Sequence, residues 1–312
     1  MMTQRFFIPL LILLILSTTV IAVISVKPIS RPVIAENTTS QAPLQSIPKE
    51  AAPQETTPSL PMLNINKISS EKTIPNLPTP AFTPVNGCKI PIIMYHYVEY
   101  VQNKKDTLRQ KLNINPDLLE KQLELLKNSG YTFHTARDIP ELLKTCPTPK
   151  QKSIILTFDD GYADFYTNVF PLLKKYNSKA TAYIISNRIG QQDYMTESQL
   201  KELVASGLVE IGAHTLDHPS LTRLSTPEVK RQIEESKKNL EKILNTQVET
   251  FTYPSGHFNS AIEKLTKDAG FTCALSTLAG SIHSPKTLFH LHRFRAGILG
   301  GATPSLTQLE RS

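Results

Sequence analysis

Two adjacent carboxylates, Asp159 and Asp160, follow the apolar run Ile154-Ile155-Leu156-Thr157-Phe158 and are followed at once by Gly161 and Tyr162. Neighbouring acids at a strand end repel each other unless a cation or a shared proton relieves them. Asp-Gly is also common turn punctuation, so the pair alone is equally compatible with a simple turn. A second cluster changes the balance: Ile211-Gly212-Ala213-His214-Thr215-Leu216-Asp217-His218-Pro219. His214 and His218 have helical spacing, but Pro219 disfavours helical geometry at the residue before it, which places both on a tight loop. Two imidazoles and the Asp160 carboxylate make a facial donor set suited to Zn²⁺, Co²⁺ or Fe²⁺, with positions left open. Asp159 is then free for a different task, taking a proton from attacking water as a general base.

These residues need a scaffold that brings them together, and the chain supplies alternating strand and helix patterns. Strands are predicted at Pro91–Tyr95, Tyr131–Phe133, Ser153–Phe158, Ala180–Ile185, Leu208–Ala213, Thr250–Tyr253, Phe271–Leu275 and Leu288–Phe294. Helices are predicted from Asn115-Pro116 to before Gly130, with Leu119, Leu123 and Leu126 on one face, and at Asp138–Lys144 and Phe165–Tyr176. Further helices are predicted at Glu197–Ala205, from Thr226 to Leu244, and at Ser260–Asp268. Repeated βα units imply an α/β fold with a parallel sheet, and their number suggests closure into a barrel. In such folds functional residues gather at the C-terminal ends of strands, where both clusters fall.

The rest of the chain frames that domain. Phe6 to Val26 is uncharged and long enough to span a bilayer, so residues 1–27 are expected to be a signal anchor, or a signal peptide cleaved near Ala35. Membrane attachment through this segment would leave the bulk of the chain outside the cytoplasm. Residues 28–86 hold eleven of the 23 prolines, no glycine and one aromatic residue. Such a stretch cannot bury enough apolar area to offset its ordering entropy, and it is expected to be a disordered, extended linker. The domain then runs over 87–312, with its core motifs from about 150. The net charge of +7 is spread along the chain rather than clustered. No nucleic-acid-binding motif accompanies it, and anionic polymers or lipids are the partners it favours. Three cysteines allow at most one internal disulfide; Cys88 and Cys146 could bridge if the strands that follow them are neighbours, and Cys273 is expected in the core. Oligomeric state is not legible.

The segments Thr157-Phe158-Asp159-Asp160-Gly161 and His214-Thr215-Leu216-Asp217-His218-Pro219 together resemble the first two motifs of the polysaccharide deacetylases, the NodB homology domain of carbohydrate esterase family 4. The resemblance covers roughly Gly87 to Gly300. It implies a distorted (β/α)₇ barrel and a divalent metal, most simply Zn²⁺, that serves in removing acetyl groups from an acetylated polysaccharide. It assigns Asp159 as base and Asp160, His214 and His218 as metal ligands. Phe251-Thr252-Tyr253-Pro254-Ser255-Gly256 resembles the third motif, commonly Phe-Arg-x-Pro-Tyr-Gly, with two departures. Thr252 stands where an arginine steadies the base, and Ser255 where a tyrosine supplies a backbone N–H to the oxyanion; a backbone donor survives that change. Arg293 or Arg295 is the candidate replacement for the missing arginine.

For the proton donor the resemblance leaves two places. Pro91-Ile92-Ile93-Met94-Tyr95-His96-Tyr97-Val98 resembles the opening strand of the poly-N-acetylglucosamine deacetylase branch, which favours His96. His292, and after it His290, sit in the region of a late Leu-x-His motif. His134, His257 and His283 read as turn or surface residues. The chain has no tryptophan, so sugar stacking falls to tyrosines. Tyr162, Tyr253 and Tyr95 are the substrate-binding candidates, with Tyr97 also available. The expected activity is hydrolysis of N-acetyl groups on N-acetylglucosamine residues of an extracytoplasmic glycan, peptidoglycan or poly-N-acetylglucosamine. The alternatives are an O-acetyl polysaccharide esterase and a catalytically silent sugar-binding barrel.

Overall fold

The structure, a computed structural model, describes residues 87–312 apart from positions 104, 149 and 302. The expected anchor at 1–27 and linker at 28–86 lie outside the described residues. Among the described residues no helix is long and apolar enough to cross a membrane.

Eight strands form the main sheet: β1 Ile92–Tyr95, β2 Thr132–His134, β3 Ser153–Phe158, β4 Ala180–Ile184, β5 Val209–Ala213, β6 Thr250–Thr252, β7 Cys273–Leu275 and β8 Phe294–Arg295. The principal helices between them are α1 Pro116–Asn128, α2 Ile139–Thr145, α3 Phe170–Tyr176, α4 Glu197–Ala205, α5 Thr226–Leu244 and α6 Ser260–Asp268. Neighbours run β7-β6-β5-β4-β3-β1-β8, every pair parallel, as βα alternation requires. β2 lies beside the first residues of β3, and β4 beside its last. All six residues of β3 are buried, the mark of a strand covered on both faces. The result is an α/β half-barrel of parallel strands.

The far end differs from the strand expected at Leu288–Phe294. Leu291 makes a single parallel bridge to Leu275 of β7, and only Phe294–Arg295 pairs, with β1. The cause lies at Arg293, whose N–H donates to the Leu278 carbonyl at 2.7 Å and so leaves the ladder. That break turns its side chain into the interior, where it is 1% exposed.

Local chemistry sets the other elements. Asn115 caps α1 by accepting from the Leu118 N–H at 2.7 Å, with Pro116 in the first turn. Leu119, Leu123 and Leu126 are fully buried, and each such side chain contributes roughly 1.5–3 kcal/mol. The expected Phe165–Tyr176 helix is realised as a π-helical turn, Phe165–Val169, running into α3. A short helix at Thr107–Leu112, capped by Asp106, occupies a stretch where no element was predicted. Cys88 and Cys146 are joined, tying the segment before β1 to the end of α2, and β1 and β3 are indeed neighbours; Cys273 is free and buried. Glu210 on β5 is buried, and its carboxylate is satisfied by accepting from Thr181, Thr250 and the Arg137 N–H.

Candidate active site and metal centre

β1 and β3 end side by side, and the Asp159 N–H donates to the Tyr95 carbonyl at 3.0 Å. The chain then leaves the sheet sharply: Asp160 and Gly161 both adopt left-handed backbone, with φ of 76° and 82°. Asp tolerates this region better than most side chains. Gly161 is needed on two counts, because a Cβ there would also lie 3.1 Å from the Ile184 side chain. Breaking the strand's alternation here lets both acids line one cleft.

The histidine loop is built the same way. Thr215 and His218 have φ of 65° and 63°, and the His218 N–H donates to the Thr215 hydroxyl at 3.0 Å. Gln232, buried on α5, accepts from the Leu216 and Asp217 N–H groups and donates to the Asp217 carboxylate. His218 Nε2 and His214 Nε2 lie 3.6 and 3.5 Å from Asp160 Oδ1. Bonds of ~2.1 Å to a first-row cation place tetrahedral donors about 3.4 Å apart, so the three fit a metal ion. One ligand atom from each lies within 4.8 Å of the others. His214 Nδ1 is 2.8 Å from the Thr252 carbonyl, which fixes the proton on Nδ1 and presents the Nε2 lone pair to the trio. Burial opposes charge on Asp160 and His214, yet their mutual attraction wins. It holds the carboxyl below and the imidazole above their ordinary values. Positive charge is favoured at this point, whether carried by a proton or by a cation.

Asp159 has a different environment. Arg293 grips it with two bonds of 2.8 Å, Nη1 to Oδ1 and Nη2 to Oδ2. The remaining guanidinium donors go to the Ser276 carbonyl and the Thr157 and Thr252 hydroxyls, so all five are used. Burial alone would raise the Asp159 pKa; the guanidinium overrides it and holds the carboxyl at about 2. The arginine therefore arrives from the segment before β8, and Thr252, in the position where the family motif carries arginine, receives a hydrogen bond from it. Arg295, the other candidate, is exposed at the cleft rim instead.

The acids, His214, His218, His96, Tyr162 and Ser255 line a cleft of about 490 Å³. His96 follows β1 directly; burial pushes its pKa down while Asp159 and Asp160 draw it back up. Ser255 sits in a turn with φ 55° beside them. Tyr162 stacks on Tyr97 with centroids 4.0 Å apart and tilts against Tyr194 at 5.2 Å, giving one aromatic wall. Arg188 and Tyr194 also line the cleft, on a loop after β4 whose sequence carries no motif.

Four candidates lie elsewhere. Tyr95 is 2% exposed, stacks on Phe158 and donates to Gln122, which makes it a core residue of β1. Tyr253 is fully buried between Phe251 and Phe258, with its hydroxyl on the Phe289 carbonyl. His292 packs against His283 and does not line the cleft, because the break at Leu291–Arg293 sends Arg293 rather than the histidine inward. His290 is held by Glu263 at 2.7 Å.

A family model described as polysaccharide deacetylase matches residues 147–274. The chain is 31% identical over 216 residues to YxkH of Bacillus subtilis, which is named among the polysaccharide deacetylases; the match covers 69% of this chain and 74% of that protein. It is 26% identical over 194 residues to the poly-β-1,6-N-acetyl-D-glucosamine N-deacetylase of Staphylococcus aureus, covering 58% of this chain and 66% of that one. Among solved structures, the Streptococcus pyogenes deacetylase PplD in complex with acetate is similar at 33% identity and a TM-score of 0.62. That match covers 67% of this chain and 92% of the other.

Proposed function

The chain belongs to the polysaccharide deacetylase family, and from that membership we propose that it is a metal-dependent hydrolase removing acetyl groups from N-acetylglucosamine residues of an extracytoplasmic glycan. The observation that carries the reading is a buried carboxylate kept ionised by a two-pronged arginine, set beside a separate Asp-His-His trio. A pure sugar-binding barrel has no use for that division. A Zn²⁺, Co²⁺ or Fe²⁺ ion held by Asp160, His214 and His218 would supply Lewis acidity toward the acetyl oxygen and the attacking water.

The chain's own residues do the rest. Asp159 accepts the proton of the water as its oxygen bonds to the acetyl carbon. Arg293 keeps that carboxylate ionised and oriented, though weakly basic. The Ser255 N–H stabilises the oxyanion, whose position a backbone donor can reach whatever the side chain. His96 then gives a proton to the departing amine as the C–N bond breaks, and acetate and a free amine leave. The stacked Tyr162 and Tyr97 offer the sugar a ring face. In this reading the half-barrel is the distorted (β/α)₇ form, with residues 1–27 as anchor or signal and 28–86 as linker.

Acetate release from acetylated glycans, with Zn²⁺ or Co²⁺ added and after chelation, tests the proposal. Native protein should release acetate only with metal, and Asp159→Asn should lose at least about a hundredfold in turnover. Matched amide and ester substrates separate N- from O-deacetylation. No metal-dependent release from any acetylated glycan would end the enzyme reading.

A further inference from the structure

Beside the catalytic cleft lies a second hollow of about 360 Å³ whose role the reaction leaves open. The two share Met94, His96, Leu112 and Arg295, so the hollow opens onto the cleft at the histidine that faces the departing amine. Its walls combine an apolar bed, Leu112, Ile114 and Leu118, with two exposed cations, Lys111 and Arg295. No aspartate or glutamate lines it. Among the described residues neither cation has a carboxylate within 4.0 Å, and neither side chain donates a hydrogen bond. Other cations near the site are committed: Arg293 to Asp159, Arg109 to Glu99 at 2.7 Å, and Arg188 to Gln191 at 3.1 Å.

Two like charges facing one hollow, with no internal counter-charge, favour an anion between them. The hollow is within the size range of small-ligand pockets. We infer that it is a subsite for an acidic substituent, a carboxylate or a phosphate, on the sugar that adjoins the one being deacetylated. This rests on the proposed deacetylase reading and narrows its substrate to an anionic acetylated glycan. A neutral poly-N-acetylglucosamine chain would leave both cations unused. Lys111 and Arg295 act on specificity rather than on chemistry, through attraction that salt screens.

The test uses three acetylated oligosaccharides on the full chain: neutral, carboxylate-bearing and phosphate-bearing. For each, kcat/KM is measured at low and high salt in native protein, Lys111→Ala and Arg295→Ala. An acidic oligomer should be preferred several-fold over the neutral one, and each substitution should cut that preference about threefold. Salt should cut it as well. Whichever acidic oligomer leads identifies the anion. Binding of the same oligomers to Asp159→Asn, read by calorimetry, reports the subsite without turnover. Equal affinity for neutral and acidic oligomers, or a preference that both substitutions leave unchanged, overturns the subsite while leaving the deacetylase standing. Absence of acetate release from all three overturns the deacetylase reading, and calorimetry still decides the subsite.

Discussion

Replacing Arg293 by methionine tests the electrostatics at the centre of the site. The side chain is 1% exposed and makes five hydrogen bonds, two of them to Asp159. Asp159 is held at about 2 against an ordinary carboxylate value of 3.8, a difference on the order of 2 kcal/mol. Methionine fills much of the volume but leaves an uncompensated buried carboxylate, a change that costs about 3–5 kcal/mol. The sign follows from proton linkage. A depressed carboxyl contributes stability above its unfolded value of 3.8, and that stability is lost as pH falls through about 2. In the variant, burial is opposed only by the weaker attraction of His214 and His96, and the carboxyl rises. The deficit relative to native protein should therefore be largest near neutral pH. It should shrink by about 1.4 kcal/mol per pH unit below the variant's raised value. Urea unfolding of both proteins at pH 7, 5 and 4 measures this, and the acid limb of acetate release should move upward in parallel. A deficit of constant size across that range, or one below about 1 kcal/mol at pH 7, would refute the pairing as the source of stability.

Two further substitutions address other parts of the site. His96→Ala should lower kcat by about 10²–10⁴, whereas His292→Ala, outside the cleft, should leave acetate release within about twofold of native; equal losses would remove His96 from its role. Asp164 lies under the loop that carries His96 and Tyr97, accepting from the Val98 N–H at 2.5 Å while its Oδ1 has no partner. Burial raises its carboxyl to about 6, so ionisation opposes folding, and stability falls as pH rises from 3.8 through about 6. Asp164→Asn should gain about 1–2 kcal/mol at pH 7.5 and little at pH 4, allowing for partial exposure. A gain of equal size at both pH values in urea melts would show that its charge is not the cause.

How far the chain could be read depended on how local each signal was. Asp159, Asp160, His214 and His218 were legible because turn residues and proline fixed their local geometry. The order of the sheet followed from βα alternation. Orientation at buried strands did not: β1 is buried on every residue, so alternation could not say whether Tyr95 or His96 faces the cleft. Tyr253 misled for the same reason, being a strand-end aromatic absorbed by Phe251 and Phe258. The choice between Arg293 and Arg295 turned on one tertiary hydrogen bond, Arg293 N–H to Leu278 O, which no pattern in sequence reveals. Gln232 went unremarked because a glutamine on a helix reads as surface, yet it holds the histidine loop.

The route by which Arg293 reaches Asp159 separates a place in space from a place in the chain. The guanidinium arrives from beside β8, and Thr252 has become its hydrogen-bond acceptor. A search keyed to arginine in the third motif would discard this chain as a degenerate relative. A search keyed to a guanidinium within reach of the base would keep it. Restoring the motif by Thr252→Arg would crowd a second cation into a filled, five-bonded interior. The two arginine positions are thus alternatives, and relatives should carry one or the other rather than both.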